Sequence, residues 1–323
     1  RLIENSRPQI AHLHNIYHQI SPSILHTLKQ YGIPVVMSLH DFKLVCPAYT
    51  RVYRGAECSA CGGGRFYHCL FKKCVKGSRI KSALSTVEMY LHHSLLHLYD
   101  LVDLFISPSV FLKDTIERMG VKGKIEVLPN FFEVNGIEPL YEGLDNTIVC
   151  FGRLVPGKGL MTLLDAMKDL AHLKLKIIGE GPERQRIEER IERERIGNVT
   201  CLGYLAREEL YRHIRTACLA VFASELPENN PLSVIEAYAL GKPVIGAGMG
   251  GTSELIVSGE NGILVPPGDA AQLRSVLDEL MNDKARISRM GRQARAYAEM
   301  HFQAERYYER LMGLYHLTIE TRK

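Results

Sequence analysis

LAVFASELPENNPLSVIEAYALGKPVIGA, residues 219–247, reads as strand, loop, helix and strand in one stretch. LAVFAS (219–224) is a short apolar run of the kind a sheet buries. PLSVIEAYAL has helical character and stops at Gly241, and PVIGA (243–247) is a second buried run. Strand, crossover helix and strand make a parallel pair. The loop carries Glu228 and the helix carries Glu236, eight positions on. The first N–H groups of such a helix lack internal partners and sit at the positive end of its dipole, which suits an anion. Glu228 then reaches a polar group lying over the helix start, and Glu236 accepts hydrogen bonds from a diol such as a ribose. Carboxylates on either side of an anion site match a ligand with hydroxyls at both ends and phosphate between, the layout of a nucleotide-sugar. A plainer reading stands beside this one, with Glu228 capping the helix and Glu236 merely solvated.

Outward from that stretch the same alternation continues. TIVCFG (147–152), LKLKIIG (173–179), VTCLG (199–203) and GILVP (262–266) are further strand candidates separated by helical patterns, one of them dense in charge at 182–196. Six strands complete a doubly wound domain over 147–300. Three helical patterns follow, the last near 303–319. Residues 133–146 lack periodicity and read as a linker. Ahead of it, 1–132 holds only four candidate strands: IAHLHN (10–15), PVVMSLHD (34–41), LFISPS (104–109) and IEVLPN (125–130). Pro22 opens the first turn of the helix SPSILHTLKQYG and Gly32 ends it. A parallel sheet of four strands entered just before a strand is expected to be an incomplete domain lacking its opening strands.

CFGRLVPGKGL (150–160) ends a strand in a glycine turn and presents Arg153 and Lys158 ahead of a helix. Both cations fall at the carboxyl end of the first strand of the 147–300 set, where open α/β sheets bind ligands. Arginine grips a diphosphate in bidentate fashion and lysine adds a compact charge. GEGPER (179–184), GYL (203–205) and GMGGTSELI (248–256) place further glycine turns at successive strand ends. Each is weak alone. At GYL a backbone amide is in position to meet a nucleobase edge.

The ordered set GRLVPGKG (152–159), IIGEGPE (177–183), LGYL (202–205), ENNPLSVIEAYALGKPVIG (228–246), GGTSEL (250–255) and NGILVPPGD (261–269) resembles the retaining glycosyltransferases of family 4. HLHN (12–15), SLHDFKLVCP (38–47) and VLPN (127–130) resemble the polysaccharide-assembly members of that family. The resemblance covers nearly all of 147–300. It implies the GT-B fold, two Rossmann-like doubly wound domains facing a cleft. It further implies that Arg153 and Lys158 clamp the donor diphosphate, that Glu236 holds the ribose and that Glu228 holds the donor sugar. Gly152, Gly203, Tyr204, Asn230, Leu232 and Ser233 complete the implied donor site. His40, at the end of PVVMSLHD, would face the reacting sugar across the cleft, or else serve as a cap or core histidine. Pro231 departs from the family pattern, where a glycine amide is common, and moves the phosphate contact to Leu232 and Ser233. The family's opening strand and glycine loop are a second departure, and their absence puts turnover by this chain in question. No Asp-x-Asp stands in the sequence, so no cofactor is expected for catalysis. In the family, the departing phosphate is usually argued to act as the base.

The remaining composition sets bounds. Charged residues are 24% and hydrophobic residues 46%, which fits a globular chain. No apolar run reaches the ~18–20 residues of a membrane span, and RLIENSRPQ does not read as a signal peptide. Residues 1–132 carry 16 Lys/Arg against 9 Asp/Glu, so the front part is basic and the rest acidic. His92, His93 and His97 are spaced as a solvated face. Five of the eight cysteines lie between 46 and 74. Cys46, Cys58, Cys61 and Cys74 are candidate ligands of a structural zinc with Cys69 as a spare; free thiols or disulfides are the alternatives. RFYHCLFKKCVKGSRIK (65–81) interleaves six Lys/Arg with Phe66, Tyr67, Leu70 and Phe71 and has no acidic residue. That pattern suits an anionic membrane surface in preference to nucleic acid, or simply a solvated turn. The sequence reading is therefore a cytoplasmic glycosyltransferase, peripheral at the inner membrane face. It would pass a sugar from a UDP- or GDP-sugar to a polysaccharide or lipid-linked glycan. A nucleotide-sugar 2-epimerase and a nucleotide-sugar-binding chain without turnover are the alternatives.

Overall fold

The computed structural model describes residues 1–17 and 20–321. The chain divides into two units, Arg1–Pro129 with Glu305–Lys323, and Asn130–Ala304.

In the first unit, α1 (Leu2–Ser6) ends at Arg7 in the left-handed region and leads into β1 (Ala11–His14). α2 (Ile24–Gln30) starts after Ser23, so Pro22 sits just ahead of the helix, and Gly32 turns the chain at φ 69°. β2 (Val35–Ser38) follows, then a small hairpin of β3 (Val52–Tyr53) and β4 (Ala56–Glu57). Next come α3 (Tyr67–Lys72) and α4 (Arg79–Tyr90), whose end runs into a π-turn at Leu91–Leu95. β5 (Leu104–Ser107), α5 (Val110–Arg118) and β6 (Ile125–Val127) close the run. The four long strands form one parallel sheet in the order β1-β2-β5-β6. Successive residues of a strand point to opposite faces. Accordingly Val35 and Met37 enter one core with Leu25, Leu28 and Leu112, while Val36, Leu104 and Ile106 face the other way.

The second unit begins with residues 130–146, which have no regular structure yet bury Val134 in its core. Six strands follow: β7 (Thr147–Phe151), β8 (Lys174–Ile178), β9 (Val199–Gly203), β10 (Leu219–Phe222), β11 (Val244–Ala247) and β12 (Gly262–Val265). Between and after them run α6 (Leu160–Met167), α7 (Arg184–Arg193), α8 (Arg207–Thr216), α9 (Leu232–Ala239), α10 (Thr252–Leu255), α11 (Ala270–Met281) and α12 (Lys284–His301). All strand pairs are parallel, in the order β12-β11-β10-β7-β8-β9. Both faces are covered: Ile148, Leu219 and Val221 enter one core, and Val149, Ala220 and Phe222 the other. Near-continuous apolar runs are what such a sheet requires.

α13 (Ala304–Glu320) returns to the first unit. Its Tyr307, Leu311, Leu314 and Tyr315 pack on Val36, Leu104, Ile106 and Leu128.

The histidines near the end of α4 correct the sequence expectation. His92 and His93 are not a solvated face, because the π-turn rotates them inward. His93 lies against Phe66 and Tyr99 at ring-centre distances of 5.2 and 4.6 Å, and burial lowers its pKa to about 4. His97, in the left-handed region, remains exposed.

Candidate active site

β7 and β10 are neighbours, and the strand order reverses direction between them. That is the switch point of a doubly wound sheet, where the loops after the two strands part and leave a crevice. Gly152, Arg153 and Lys158 follow β7, and Ser224 and Glu228 follow β10. Lys158 Nζ donates to Glu228 Oε2 at 2.6 Å, with both side chains half-buried. The buried Ser224 hydroxyl donates to the other carboxylate oxygen, Oε1. Glu228 is thus held from two sides. Arg153 is exposed and makes no ion pair among the described residues.

The loop bearing Glu228 is pinned by backbone on both flanks. Glu225 N–H donates to Gly157 O at 2.8 Å, and Gly251 N–H donates to Glu228 O at 2.7 Å. Two glycines permit this approach. A Cβ on Gly159 would lie 1.7 Å from Ala223 O, and one on Gly251 would lie 1.7 Å from Asn229 O. Any side chain there would push the loops apart.

α9 starts after Pro231, and no side chain caps it. Its first N–H groups, those of Leu232 and Ser233, therefore face out of the helix end. Asn230 is turned aside, its Oδ1 accepting Asn130 N–H at 3.2 Å. Glu236 sits in the second turn of α9. Burial raises its pKa, and the Arg207 guanidinium at the start of α8 works in the opposite direction. Such a carboxylate lacks good solvation and gains from hydroxyl donors. Across the sheet, Tyr204 is exposed, but its N–H donates to Glu180 Oε1 at 3.3 Å, and Gly203 O accepts Gly179 N–H at 2.8 Å.

His40 belongs to the first unit, two residues past β2. Its Nε2 lies 2.8 Å from His14 Nδ1. The His14 and His12 rings are 4.2 Å apart, and His12 bonds Ser38 Oγ at 2.8 Å and Tyr315 OH at 2.6 Å. Burial lowers the pKa of all three histidines, that of His12 to about 4. His12, His14, Tyr315, Ser224 and Arg207 were not singled out from sequence. The two-residue spacing of His12 and His14 on β1 was the available signal, since i and i+2 of a strand share a face. Nothing local announces Tyr315, 303 residues from its partner.

The thiols of Cys46, Cys58, Cys61, Cys69 and Cys74 line one small pocket with His68 and Lys72. All are free, and burial raises the pKa of Cys61 to about 12 and of Cys74 to about 11. Among the described residues no three His, Cys, Asp or Glu side chains form a ready metal-ligand set.

Residues 138–297 match the model of "Glycosyl transferases group 1", and residues 1–135 match "Glycosyltransferase Family 4". The chain belongs to these glycosyltransferase families, and its fold is GT-B. This family 4-like chain is 28% identical over 200 residues to an uncharacterized glycosyltransferase of Methanocaldococcus jannaschii, covering 61% of this chain and 55% of that protein. It is 28% identical over 180 residues to the O-antigen chain mannosyltransferase C of Escherichia coli, covering 55% and 48%. It spans about half the length of these curated relatives. Among solved structures, sucrose-phosphate synthase from Thermosynechococcus elongatus superposes with TM-score 0.74 at 20% identity, over 99% of this chain and 76% of that one. Anabaena HepE in complex with UDP superposes with TM-score 0.66 at 20% identity, over 91% and 75%. At these identities the two structures establish the fold.

Proposed function

We propose that this chain is a retaining glycosyltransferase that moves a sugar from a nucleoside-diphosphate sugar to a polysaccharide or lipid-linked glycan. The observation that carries the reading is the Lys158–Glu228–Ser224 cluster at the switch point, beside the uncapped start of α9. Arg153, Lys158 and the Leu232 and Ser233 N–H groups receive the diphosphate. Fixed charge aimed at a leaving group is usually the largest catalytic term. Glu236 takes the ribose hydroxyls, and Glu228 turns from Lys158 towards the donor sugar. In the reaction the bond from the sugar anomeric carbon to the diphosphate oxygen breaks, and a bond to the acceptor oxygen forms on the same face. The acceptor's proton passes to the departing phosphate. His40 hydrogen-bonds the sugar as a neutral imidazole. A UDP complex of a structural neighbour and mannose transfer by a sequence relative support a nucleotide-sugar donor and a glycan acceptor.

Calorimetric titration with UDP and with GDP, without added metal, tests the site. Selective binding of one is expected and names the donor class; binding of neither overturns the reading. An anomeric configuration inverted in the product would overturn retention. For the thiol pocket we keep a structural zinc on Cys46, Cys58, Cys61 and Cys74 as a proposal, supported by their shared pocket. Elemental analysis of the denatured chain should then give about one zinc; eight titratable thiols and no metal would end it.

A further inference from the structure

α4 is built inside out. Its buried side carries Ser82, Thr86 and Met89. The Ser82 hydroxyl accepts Val75 N–H at 3.0 Å, and Thr86 Oγ1 donates to Ser82 O at 2.7 Å. The outward side carries Ile80 at 75% exposure, Leu84 at 66% and Val87 at 65%, continued by Leu91 and then Leu95 at 72%. Steps of four, three, four and four place these side chains on one stripe. α3 packs beside α4 and adds Phe71 and Tyr67 to the exposed apolar surface, whereas Phe66 turns inward onto Cys61, Cys69 and Met89. Five aliphatic side chains in line, with hydroxyls hidden behind them, form a patch that water solvates poorly and that marks an interaction surface.

Charge names the occupant. Residues 65–87 contain six Lys/Arg and no acidic residue. Arg65, Lys73, Lys76, Arg79 and Lys81 are exposed, and among the described residues none of them pairs with a carboxylate. A second copy of the chain meeting this face by two-fold symmetry would set these cations against their own copies. An anionic bilayer satisfies both halves of the surface at once: the stripe enters the boundary between headgroups and acyl chains, and the cations meet lipid phosphates. We propose that the α3–α4 face docks this chain on an anionic lipid bilayer. The inference deepens the lipid-linked acceptor reading, but it needs no donor chemistry and stands or falls apart from it.

The test is co-sedimentation of the full chain with vesicles of equal parts phosphatidylglycerol and phosphatidylcholine, and with vesicles of phosphatidylcholine alone. Partition should favour the anionic vesicles and weaken with salt. Leu84→Ser combined with Val87→Ser should lower it by ~10-fold or more. Lys73→Gln with Lys76→Gln should lower it by about 5-fold for each lysine removed. Both variants change exposed positions, and an unaltered circular dichroism spectrum verifies that they fold. A chain that stays in the supernatant with both vesicles overturns the proposal. So does an L84S/V87S variant that binds as well as its parent, or a solution dimer dispersed by that variant, which would assign the face to a second copy. Vesicle binding by a chain that ignores UDP and GDP would sink the donor reading and leave this one standing.

Discussion

Each unit sets a polar cluster at the carboxyl end of its parallel sheet, and the two clusters are made of opposite material. In Asn130–Ala304 it is ionic: Lys158, Glu228 and Arg153 carry full charges, and the lysine and glutamate hold one another at 2.6 Å. In the first unit it is neutral: the His12, His14 and His40 rings lie tilted against one another along β1 and just past β2, with every pKa pushed down by burial. A charged pair exchanges partners readily, since a diphosphate can take Lys158 and free Glu228 for hydroxyls. Neutral imidazoles cannot compete for a diphosphate, but they still donate and accept hydrogen bonds. In charge, the one cluster suits a phosphate and the other suits uncharged hydroxyls.

The sharpest way to break this division is Lys158→Ala. It removes charge aimed at the leaving group, and kcat/KM should fall by about 100- to 1,000-fold. A loss below tenfold would place the diphosphate elsewhere. Glu236→Ala comes next. Hydrogen bonds to charged groups are worth roughly 1.5–3 kcal/mol, so affinity for the nucleoside diphosphate should drop by about 10- to 100-fold by calorimetry. Unchanged binding would remove Glu236 from the site. His14→Phe should lower kcat by roughly 5- to 10-fold, the worth of one neutral hydrogen bond, and leave diphosphate binding as it was. If it weakened diphosphate binding instead, the neutral cluster would be part of the phosphate site.

The smallest effect is on stability. Unfolded histidines take up protons near 6.5, but in the fold His12 and His93 do so only at about 4. Between those values the unfolded chain binds more protons. Their contribution is therefore complete above pH 6.5 and is lost as pH falls towards 4. The urea midpoint of the first unit should decline across that window. A flat midpoint would mean that the rings are charged in the fold.

The crevice between the β7 and β10 loops is legible because its signals are local. Strand, glycine turn and cation follow one another in CFGRLVPGKG, and the strand order does the rest by bringing β7 beside β10. Ser224 escaped because a serine after a strand is ordinary until its bond to Glu228 is seen. The histidine cluster was half legible. His40 came with the family resemblance, but its neighbours depend on the register His14 to Ser38, which no single strand contains. His92 and His93 depart from the expected solvated face because a π-turn breaks the regular helical spacing there. Helical periodicity gave α13 its length while leaving open which sheet it covers.

That last placement has a consequence for synthesis. Residues 130–304 form a continuous segment and can condense as soon as they clear the ribosome. The first unit has to wait, because the face of its sheet formed by Val36, Leu104 and Ile106 is covered by residues translated about 200 positions after β5. Until α13 emerges, that face stays open as an adhesive surface, and Tyr315 is not yet beside His12. A ribosome that stalls after residue 304 would release a chain with a finished second unit and a bare sheet, the kind of product that holdase chaperones retain and quality-control proteases remove.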